Sequence, residues 1–150
     1  MPENRSLSEL TFFITAGLKN RLPLFREPET AKLVMECFQF FRKNGEIELY
    51  GFAIMPDHLH VILKTKTLTT ISQIVRRFKN FVAHSVGQGP IWEKGYWSEV
   101  IEGDTLLRQK LVYIHENPVR VGFVSRAEDY PWSSAREYFC RMSSEIVDPY

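Results

Sequence analysis

The sequence predicts an α+β fold built on an antiparallel sheet, and three observations support this prediction. Short apolar runs rich in β-branched and aromatic residues alternate with longer runs whose apolar residues recur at helical spacing. Two of the short runs are joined by a tight turn, which makes those neighbouring strands antiparallel. The length of 150 residues and the 44% apolar content are typical of one globular domain, which we expect to cover 1–150.

The first part of the chain supplies a strand and a helix. Residues 10–16 predict the first strand, and a polar loop follows over 17–25. Residues 28–43 predict a helix, because apolar side chains recur every three or four positions and Asn44-Gly45 is a stop signal.

A hairpin and a second helix come next. Residues 47–55 and 58–64 predict two strands around the turn Pro56-Asp57. The second helix begins after Thr69 or Thr70, either of which can cap it, and runs to about residue 86. Its predicted buried stripe consists of Ile71, Ile74, Val75, Phe78, Phe81 and Val82.

A fourth strand and a third helix complete the predicted sheet. Residues 96–101 are short and rich in β-formers. Asp104 is the predicted cap of the third helix, 105–116, and the step Asn117-Pro118 closes that helix, since the residue before a proline disfavours helical geometry.

The rest of the chain is predicted to pack against this domain. The segment 130–134 is followed by a short helix over 135–139, and the last ten residues have the character of a tail. The order of elements matches the ferredoxin-like arrangement, an antiparallel sheet with helices on one face, to which the third helix is appended. That fold serves many functions, so it does not indicate one.

Composition excludes several classes of protein. No apolar run is long enough to span a bilayer, and the first residues lack the layout of a signal peptide, so we expect a cytoplasmic protein with no membrane partner. The two cysteines, Cys37 and Cys140, are far apart and lack metal-binding spacing. We expect both to be reduced thiols.

Charge is unevenly distributed. The net charge is only +1, yet the stretch 58–92 contains no Asp or Glu. Such a local excess of cations is consistent with a polyanion footprint and equally with a solvated helix face. The five cations in the stretch are Lys64, Lys66, Arg76, Arg77 and Lys79.

Two histidines and a tyrosine are the candidate chemical groups. His58 and His60 project from one face of their strand, as the first two ligands of a divalent metal would. Tyr113 and Asn117 are four residues apart and share a helix face, offering a nucleophilic phenol and an amide oxygen for a cation. Each of these residues alone also has an ordinary structural interpretation.

Three segments together carry a resemblance to a known family. They are Met55-Pro-Asp-His-Leu-His60, Tyr113-Ile-x-x-Asn-Pro-Val-Arg120 and Tyr130-Pro-Trp-Ser-Ser134, in that order. The chain resembles the REP-associated tyrosine transposases, single-tyrosine transposases of the HUH endonuclease superfamily. The resemblance runs from about residue 10 to about residue 139 and includes Trp92-Glu93.

The resemblance implies a role for each matching residue. His58 and His60 match the histidines that bind the metal, Mg²⁺ or Mn²⁺, and Asn117 matches the residue that completes its ligation. Tyr113 matches the nucleophile that forms a 5′-phosphotyrosine. The family usually has Asn before the first histidine where this chain has Asp57. Asn and Asp are near-equivalent in a turn. An Asp57 that faced the site would tighten cation binding.

The resemblance also implies a substrate, single-stranded DNA next to a hairpin of a palindromic repeat, and a monomer or homodimer. The five cations of 58–92 and Arg21, in the loop before the first helix, are our candidates for DNA contacts. Bases of a single strand stack on aromatic rings. We expect Tyr96, Trp92 or Trp97 to serve, and Phe12, Phe13, Phe78 and Phe81 to be core residues.

Two alternatives to a strand transferase stay open. One is a binding module that recognises repeat hairpins without cutting them. The other is a metal-dependent phosphodiesterase that uses water as its nucleophile, so that cleavage would not need Tyr113.

Overall fold

The computed structural model describes residues 9–66, 68–139 and 147–150. Its strands and helices follow the predicted order, with bounds close to those expected from the sequence. They are β1 (Thr11–Gly17), α1 (Pro28–Lys43), β2 (Ile47–Met55), β3 (His58–Thr65), α2 (Ile71–Val86), β4 (Trp97–Ile101), α3 (Asp104–Arg120) and α4 (Ala135–Phe139). Short 3₁₀ turns occupy Lys19–Arg21, Leu24–Arg26 and Ala127–Asp129.

The four strands form one antiparallel sheet in the order β2-β3-β1-β4. Strand β1 is central, pairing with β3 on one side and β4 on the other. This strand order, with the strand–helix–strand–strand–helix–strand sequence, is the ferredoxin-like arrangement. The predicted fold class is therefore confirmed.

Helices cover both faces of this sheet. Helices α1 and α2 pack on one face, where the rings of Phe38 and Phe78 lie 5.1 Å apart above Ile14 and Val61 in the larger apolar cluster. Helix α3 packs on the other face, in a second cluster that includes Leu111. Because successive strand residues alternate faces, β1 and β3 contribute side chains to both clusters. The appended helix thus lies opposite the other two long helices.

A glycine lets α3 approach the sheet closely. Gly51 follows a β-bulge in β2, and a Cβ atom at this position would lie 2.4 Å from Cδ2 of Leu111 and 3.4 Å from Cδ1 of Ile114. A side chain at this position would have to displace the buried Leu111 side chain. Gly51 therefore lets Leu111 of α3 pack directly against β2.

The segment after α3 covers the outer edge of β2. The Ile54 N–H donates to the carbonyl of Trp132 at 2.7 Å, and the Ser134 N–H donates to the carbonyl of Phe52 at 2.9 Å. The Ser134 hydroxyl also accepts from the Phe52 N–H at 2.9 Å. The predicted packing of 130–134 against the domain is confirmed, and its backbone satisfies groups that an edge strand would otherwise leave to solvent.

Helix α3 differs from the sequence prediction at both ends. Its N-cap residue is Gly103, and Asp104 is the first helical residue, where its charge still favours the helix N-terminus. The helix also continues through Pro118 to Arg120. A proline in the last turn removes a single backbone hydrogen bond, and burial of the Pro118 ring accompanies the extension.

Three smaller expectations are corrected or limited. Phe81 is exposed rather than part of the buried stripe, because it lies at the edge of the α1–α2 interface beside Phe40. The chain end is not wholly a tail, since Asp148 accepts from the Leu49 N–H at 2.8 Å. Cys37 is a buried free thiol, as expected, and Cys140 lies outside the described residues.

None of the helices in the described part of the chain combines the length and apolar character needed to cross a bilayer.

We expect Gly51→Ala to lower the free energy of unfolding by about 1–3 kcal/mol, because the new methyl group overlaps Leu111. Urea unfolding measures this loss. In a double-mutant cycle with Leu111→Ala, the sum of the stability losses of the two single variants should exceed the loss of the double variant, since Leu111→Ala removes the overlapping atom. If the losses of the single variants simply added, the new methyl group would not be overlapping Leu111.

Candidate active site

Two imidazole rings lie side by side at the start of β3. His58 and His60 project from the face that α3 covers, with ring centroids 4.9 Å apart. In the sheet register His58 is opposite Gly17, and His60 is opposite Thr15. His60 is only 6% exposed, whereas His58 is half-buried at the edge of a cleft.

Both histidines have their Nδ1 atoms engaged by neighbouring side chains. His58 Nδ1 lies 2.7 Å from Oδ1 of Asp57, and His60 Nδ1 lies 2.8 Å from Oγ1 of Thr15. An ionised carboxylate only accepts hydrogen bonds, so His58 Nδ1 carries the hydrogen and leaves Nε2 as a free acceptor. Metal-binding histidines are commonly oriented in this way through their second nitrogen.

Burial keeps His60 uncharged. Its pKa is lowered from 6.5 to about 3, chiefly because burial disfavours the cation, and secondarily because a protonated His58 and the charge of Arg120 would repel it. The imidazole of His60 is therefore neutral at neutral pH. A neutral imidazole is the form that binds a metal.

Helix α3 brings Tyr113 to these histidines. Its ring centroid lies 5.9 Å from that of His60 and 6.1 Å from that of Phe13, both in edge-to-face geometry. Leu111 and Ile114 of the same helix are buried in the second apolar cluster, which fixes the helix on the sheet. Tyr113 remains 48% exposed, so a ligand can reach its ring.

Arg120 lies on the same helix face as Tyr113, two turns later. Its guanidinium carbon is 4.6 Å from the centroid of the Tyr113 ring, in a cation–π arrangement. Its Nη2 also donates to the backbone carbonyl of Tyr113 at 2.9 Å. Side chains of a helix lean toward its N-terminus, which directs Arg120 back over Tyr113.

Asn117 is half-buried between Tyr113 and Arg120 on this face of α3. The spacing of four and then three residues aligns the three side chains along the helix. No group of three His, Cys, Asp or Glu side chains suited to a metal occurs within residues 9–66, 68–139 and 147–150. A third protein ligand drawn from the described residues would therefore have to be of another type, such as the Asn117 amide.

A cleft of about 500 Å³ opens beside His58, between the ends of β1 and β4 and the loop before β4. Trp97, which is 64% exposed, forms part of its wall next to Tyr96. Arg21 reaches it from a turn in which Asn20 and Arg21 both have positive φ, 56° and 54°. The full lining is Thr15, Gly17, Arg21, Asp57, His58, Glu93, Lys94, Gly95, Tyr96 and Trp97.

Three of the five predicted cations of 58–92 lie close to oxygen atoms of other residues, and the other two differ in their exposure. Arg77 forms a two-pronged ion pair with Glu46, and Lys79 donates to the carbonyls of Glu93 and Gly95, so both hold the fold together. Lys66 lies 3.5 Å from Glu48. The remaining two, exposed Arg76 and half-buried Lys64, are 12 residues apart on α2 and β3.

Helix α2 covers the face of the sheet opposite the histidines. Arg76 and Arg77 therefore do not line the site near Tyr113. Of the candidate DNA-binding residues, Arg21 shares the cleft with His58.

Two other conspicuous residues have structural partners. Trp92 donates from Nε1 to the carbonyl of Lys79 at 2.9 Å and packs against Phe25 and Phe78, so it is less available for stacking than Trp97. His115 Nε2 lies 2.8 Å from the hydroxyl of Ser134, where it ties α3 to the segment on the edge of β2.

Sequence reasoning missed two contributors to this site and left the orientation of a third open. Thr15 orients His60 from the neighbouring strand, which no local motif reveals. Asp57 bonds His58 directly, although the sequence left its orientation open. Arg120 belongs to the recognised motif but had no assigned role, because the predicted helix ended before it.

A family model described as IS200-like transposase matches residues 6–117, about three quarters of the chain. The chain belongs to the IS200-like transposase family. The matched residues include both histidines, Tyr113 and Asn117. Arg120 and the 130–134 segment follow the matched region of this IS200-like transposase.

Curated relatives place the chain near a particular branch of that family. It is 26% identical over 132 residues to a REP-associated tyrosine transposase of Escherichia coli K12, covering 83% of this chain and 75% of the relative. It is 29% identical over 103 residues to a putative REP-associated tyrosine transposase of Haemophilus influenzae, with 58% of each chain covered. The predicted resemblance to REP-associated tyrosine transposases is confirmed.

Solved structures share the fold. A REP-associated tyrosine transposase bound to a REP hairpin matches with a TM-score of 0.79 at 22% identity, covering 93% of this chain and 88% of that one. A putative transposase of Deinococcus radiodurans R1 matches with a TM-score of 0.53 at 18% identity, covering 72% and 91%. At these identities the likeness supports the fold and its topology.

His115 should make the stability of the protein depend on pH. Burial lowers its pKa from 6.5 to about 4, so the unfolded chain binds a proton at a higher pH than the folded protein does. Stability is therefore lost as the pH falls below about 6.5, by about 2 kcal/mol at about pH 5 for this group. Urea unfolding should show that the free energy of unfolding falls between about pH 7.5 and about pH 5, and that it falls by about 2 kcal/mol less in His115→Gln than in the wild type. An equal fall in both proteins would show that His115 is not the cause.

Proposed function

We propose that this chain is a metal-dependent transposase that cleaves and rejoins single-stranded DNA beside hairpins of repeat elements. The observation that carries the proposal is the convergence of Tyr113 on the histidine pair, with its ring 5.9 Å from that of His60. A phenol next to two imidazoles whose Nδ1 atoms are engaged by neighbouring side chains has the parts needed for nucleophilic attack assisted by a cation.

His58, His60 and Asn117 are the residues that would hold Mg²⁺ or Mn²⁺. The engaged Nδ1 atoms of both histidines and the neutrality of His60 fit this role. Two imidazoles favour Mn²⁺ over Mg²⁺, whereas the amide oxygen suits either ion. When bound, such a cation neutralises charge on a non-bridging oxygen of the phosphodiester.

In the proposed reaction, Tyr113 is the nucleophile. Its phenolic oxygen forms a bond to phosphorus while the bond from phosphorus to the 3′-oxygen breaks. The phenolic proton passes to solvent, and the departing 3′-oxygen takes a proton to become a free hydroxyl. The product is a 5′-phosphotyrosine, which keeps a phosphoester bond, so another 3′-hydroxyl can attack it and rejoin the strands without ATP.

The cleft beside His58 is a suitable path for the single strand. Trp97 presents an exposed ring for base stacking, and Arg21 and Lys94 supply positive charge for phosphates. A related transposase has been solved with a REP hairpin bound. We extend this class of substrate, a hairpin with flanking single strand, to the present chain.

Replacing Tyr113 with Phe tests the nucleophile. Incubation of the wild-type protein with hairpin DNA carrying a single-stranded flank and Mn²⁺ should give a covalent protein–DNA adduct on denaturing electrophoresis. Tyr113→Phe should give no adduct, because the attacking oxygen is missing, while its affinity for the hairpin should change little.

The other outcomes of that experiment identify the competing functions. Tight hairpin binding by the wild-type protein with neither adduct nor cleavage would indicate a binding module. Cleavage that persists in Tyr113→Phe would indicate a phosphodiesterase that uses water. Either result would overturn the proposal.

Replacing His60 with Ala tests the metal site. Titration calorimetry should show that Mn²⁺ binding is lost, and cleavage with it, because a ligand has been removed. Hairpin affinity should be largely kept, since phosphate contacts elsewhere supply much of it. His84→Ala, a change on the exposed surface of α2, is the matched control and should bind Mn²⁺ and cleave normally. Unchanged Mn²⁺ binding in His60→Ala would exclude this metal site.

A further inference from the structure

We infer that Arg120 is a catalytic residue whose guanidinium binds the scissile phosphate as Tyr113 attacks it. This inference rests on the proposed function and adds to it a second source of positive charge, besides the cation that the histidines would hold.

The position of Arg120 supports a contact with the reacting phosphate. Its guanidinium is 4.6 Å from the centroid of the Tyr113 ring, so a phosphate close enough for attack by Tyr113 is also within reach of Arg120. Its positive charge also acts on His60, where it contributes to keeping the imidazole neutral. Arg120 thus contacts Tyr113 and is near enough to His60 to affect its charge.

The Arg120 guanidinium also has more N–H donors than its hydrogen bond to Tyr113 uses. An arginine side chain carries five N–H donors, and the structure uses an Nη2 donor of Arg120 on the Tyr113 carbonyl. That hydrogen bond restrains the side chain over the ring, while the group itself remains exposed to an incoming ligand. A planar guanidinium fork matches two oxygens of a phosphate.

Another cation close to the reacting groups is already paired. Lys110, one turn before Tyr113, lies 3.0 Å from Glu99 on β4 and packs over the Phe13 ring at 5.1 Å. Its charge therefore holds α3 against β4. Arg120 has no carboxylate partner among the described residues, which leaves its charge available for a phosphate.

The continuation of α3 through Pro118 places Arg120 where this role requires it. A helix ending at residue 116, as the sequence predicts, would leave Arg120 in a loop with no fixed relation to Tyr113. Because the extra turn is helical, Arg120 and Tyr113, which are seven residues apart, lie on the same face of α3. Pro118 therefore lies inside the helix, in the turn that also carries Arg120.

Attack by a phenol on a phosphodiester builds negative charge on the non-bridging oxygens. Fixed donors aimed at such developing charge typically contribute about 10²–10³-fold to the rate. We therefore expect Arg120→Ala to form the Tyr113 adduct about 10²–10³-fold more slowly, with hairpin affinity changed far less than the rate. Arg120→Lys, which keeps a charge but not the fork, should recover part of the loss.

A neutral substrate separates this role from a structural one. The scissile phosphate of the hairpin oligonucleotide is replaced by a methylphosphonate, which has no negative charge for Arg120 to bind. On this substrate Arg120→Ala and the wild-type protein should form adduct at similar rates. Arg108→Ala, an exposed arginine on the same helix, is the matched control and should equal the wild type on both substrates.

Each remaining outcome overturns the inference. An Arg120→Ala variant that is as slow on the methylphosphonate as on the phosphodiester, relative to wild type, would show that Arg120 only shapes the site. A variant with wild-type rates on the phosphodiester would show that it has no role in the reaction, and the proposed function would stand. Absence of any adduct with the wild-type protein would overturn the function and the inference together.

Discussion

The packing of α3 on the sheet is the constraint on which the rest of the site depends. Gly51 lets Leu111 of this helix pack directly against β2. From that position α3 carries Tyr113 to the edge of His60 and carries Arg120 over Tyr113. Lys110 with Glu99 and His115 with Ser134 hold the helix on either side. The position of Tyr113 is thus a consequence of how α3 packs on the sheet.

Electrostatics adds a second layer to this arrangement. Burial disfavours a charge on His60, and the neighbouring Arg120 strengthens that effect. The same arginine is attracted to the face of the Tyr113 ring. A neutral imidazole from β3 and a guanidinium from α3 therefore both lie against the Tyr113 ring, at 5.9 Å and 4.6 Å from its centroid.

Much of the fold was predictable because it depends on local signals. The cap of α2 is Thr70, one of the two predicted candidates, and the stop at Asn44-Gly45 and the turn after Met55 lie where the sequence indicates. The end of α3 was not predictable from local rules, because Pro118 is tolerated when its ring is buried against the rest of the protein. That tertiary contact outweighs the local preference.

The site followed the same division between local and long-range information. The histidine pair and the Tyr113 face were readable from spacing within one strand and one helix. The pairing of Arg77 with Glu46 and of His60 with Thr15 joins residues that are 31 and 45 positions apart. A single sequence contains no signal for such pairs, so a run of cations looked like one surface although several of its members are engaged in contacts within the fold.

The covering of β2 has a consequence for how this sheet can grow. Since 130–134 already occupies the outer side of β2, an extended backbone from outside has no free edge there. Strand β4 forms the other edge, and no strand of the described residues pairs with its outer side. A strand from another chain that added to this sheet would therefore pair at one flank of the molecule, the flank where the indole of Trp97 is exposed.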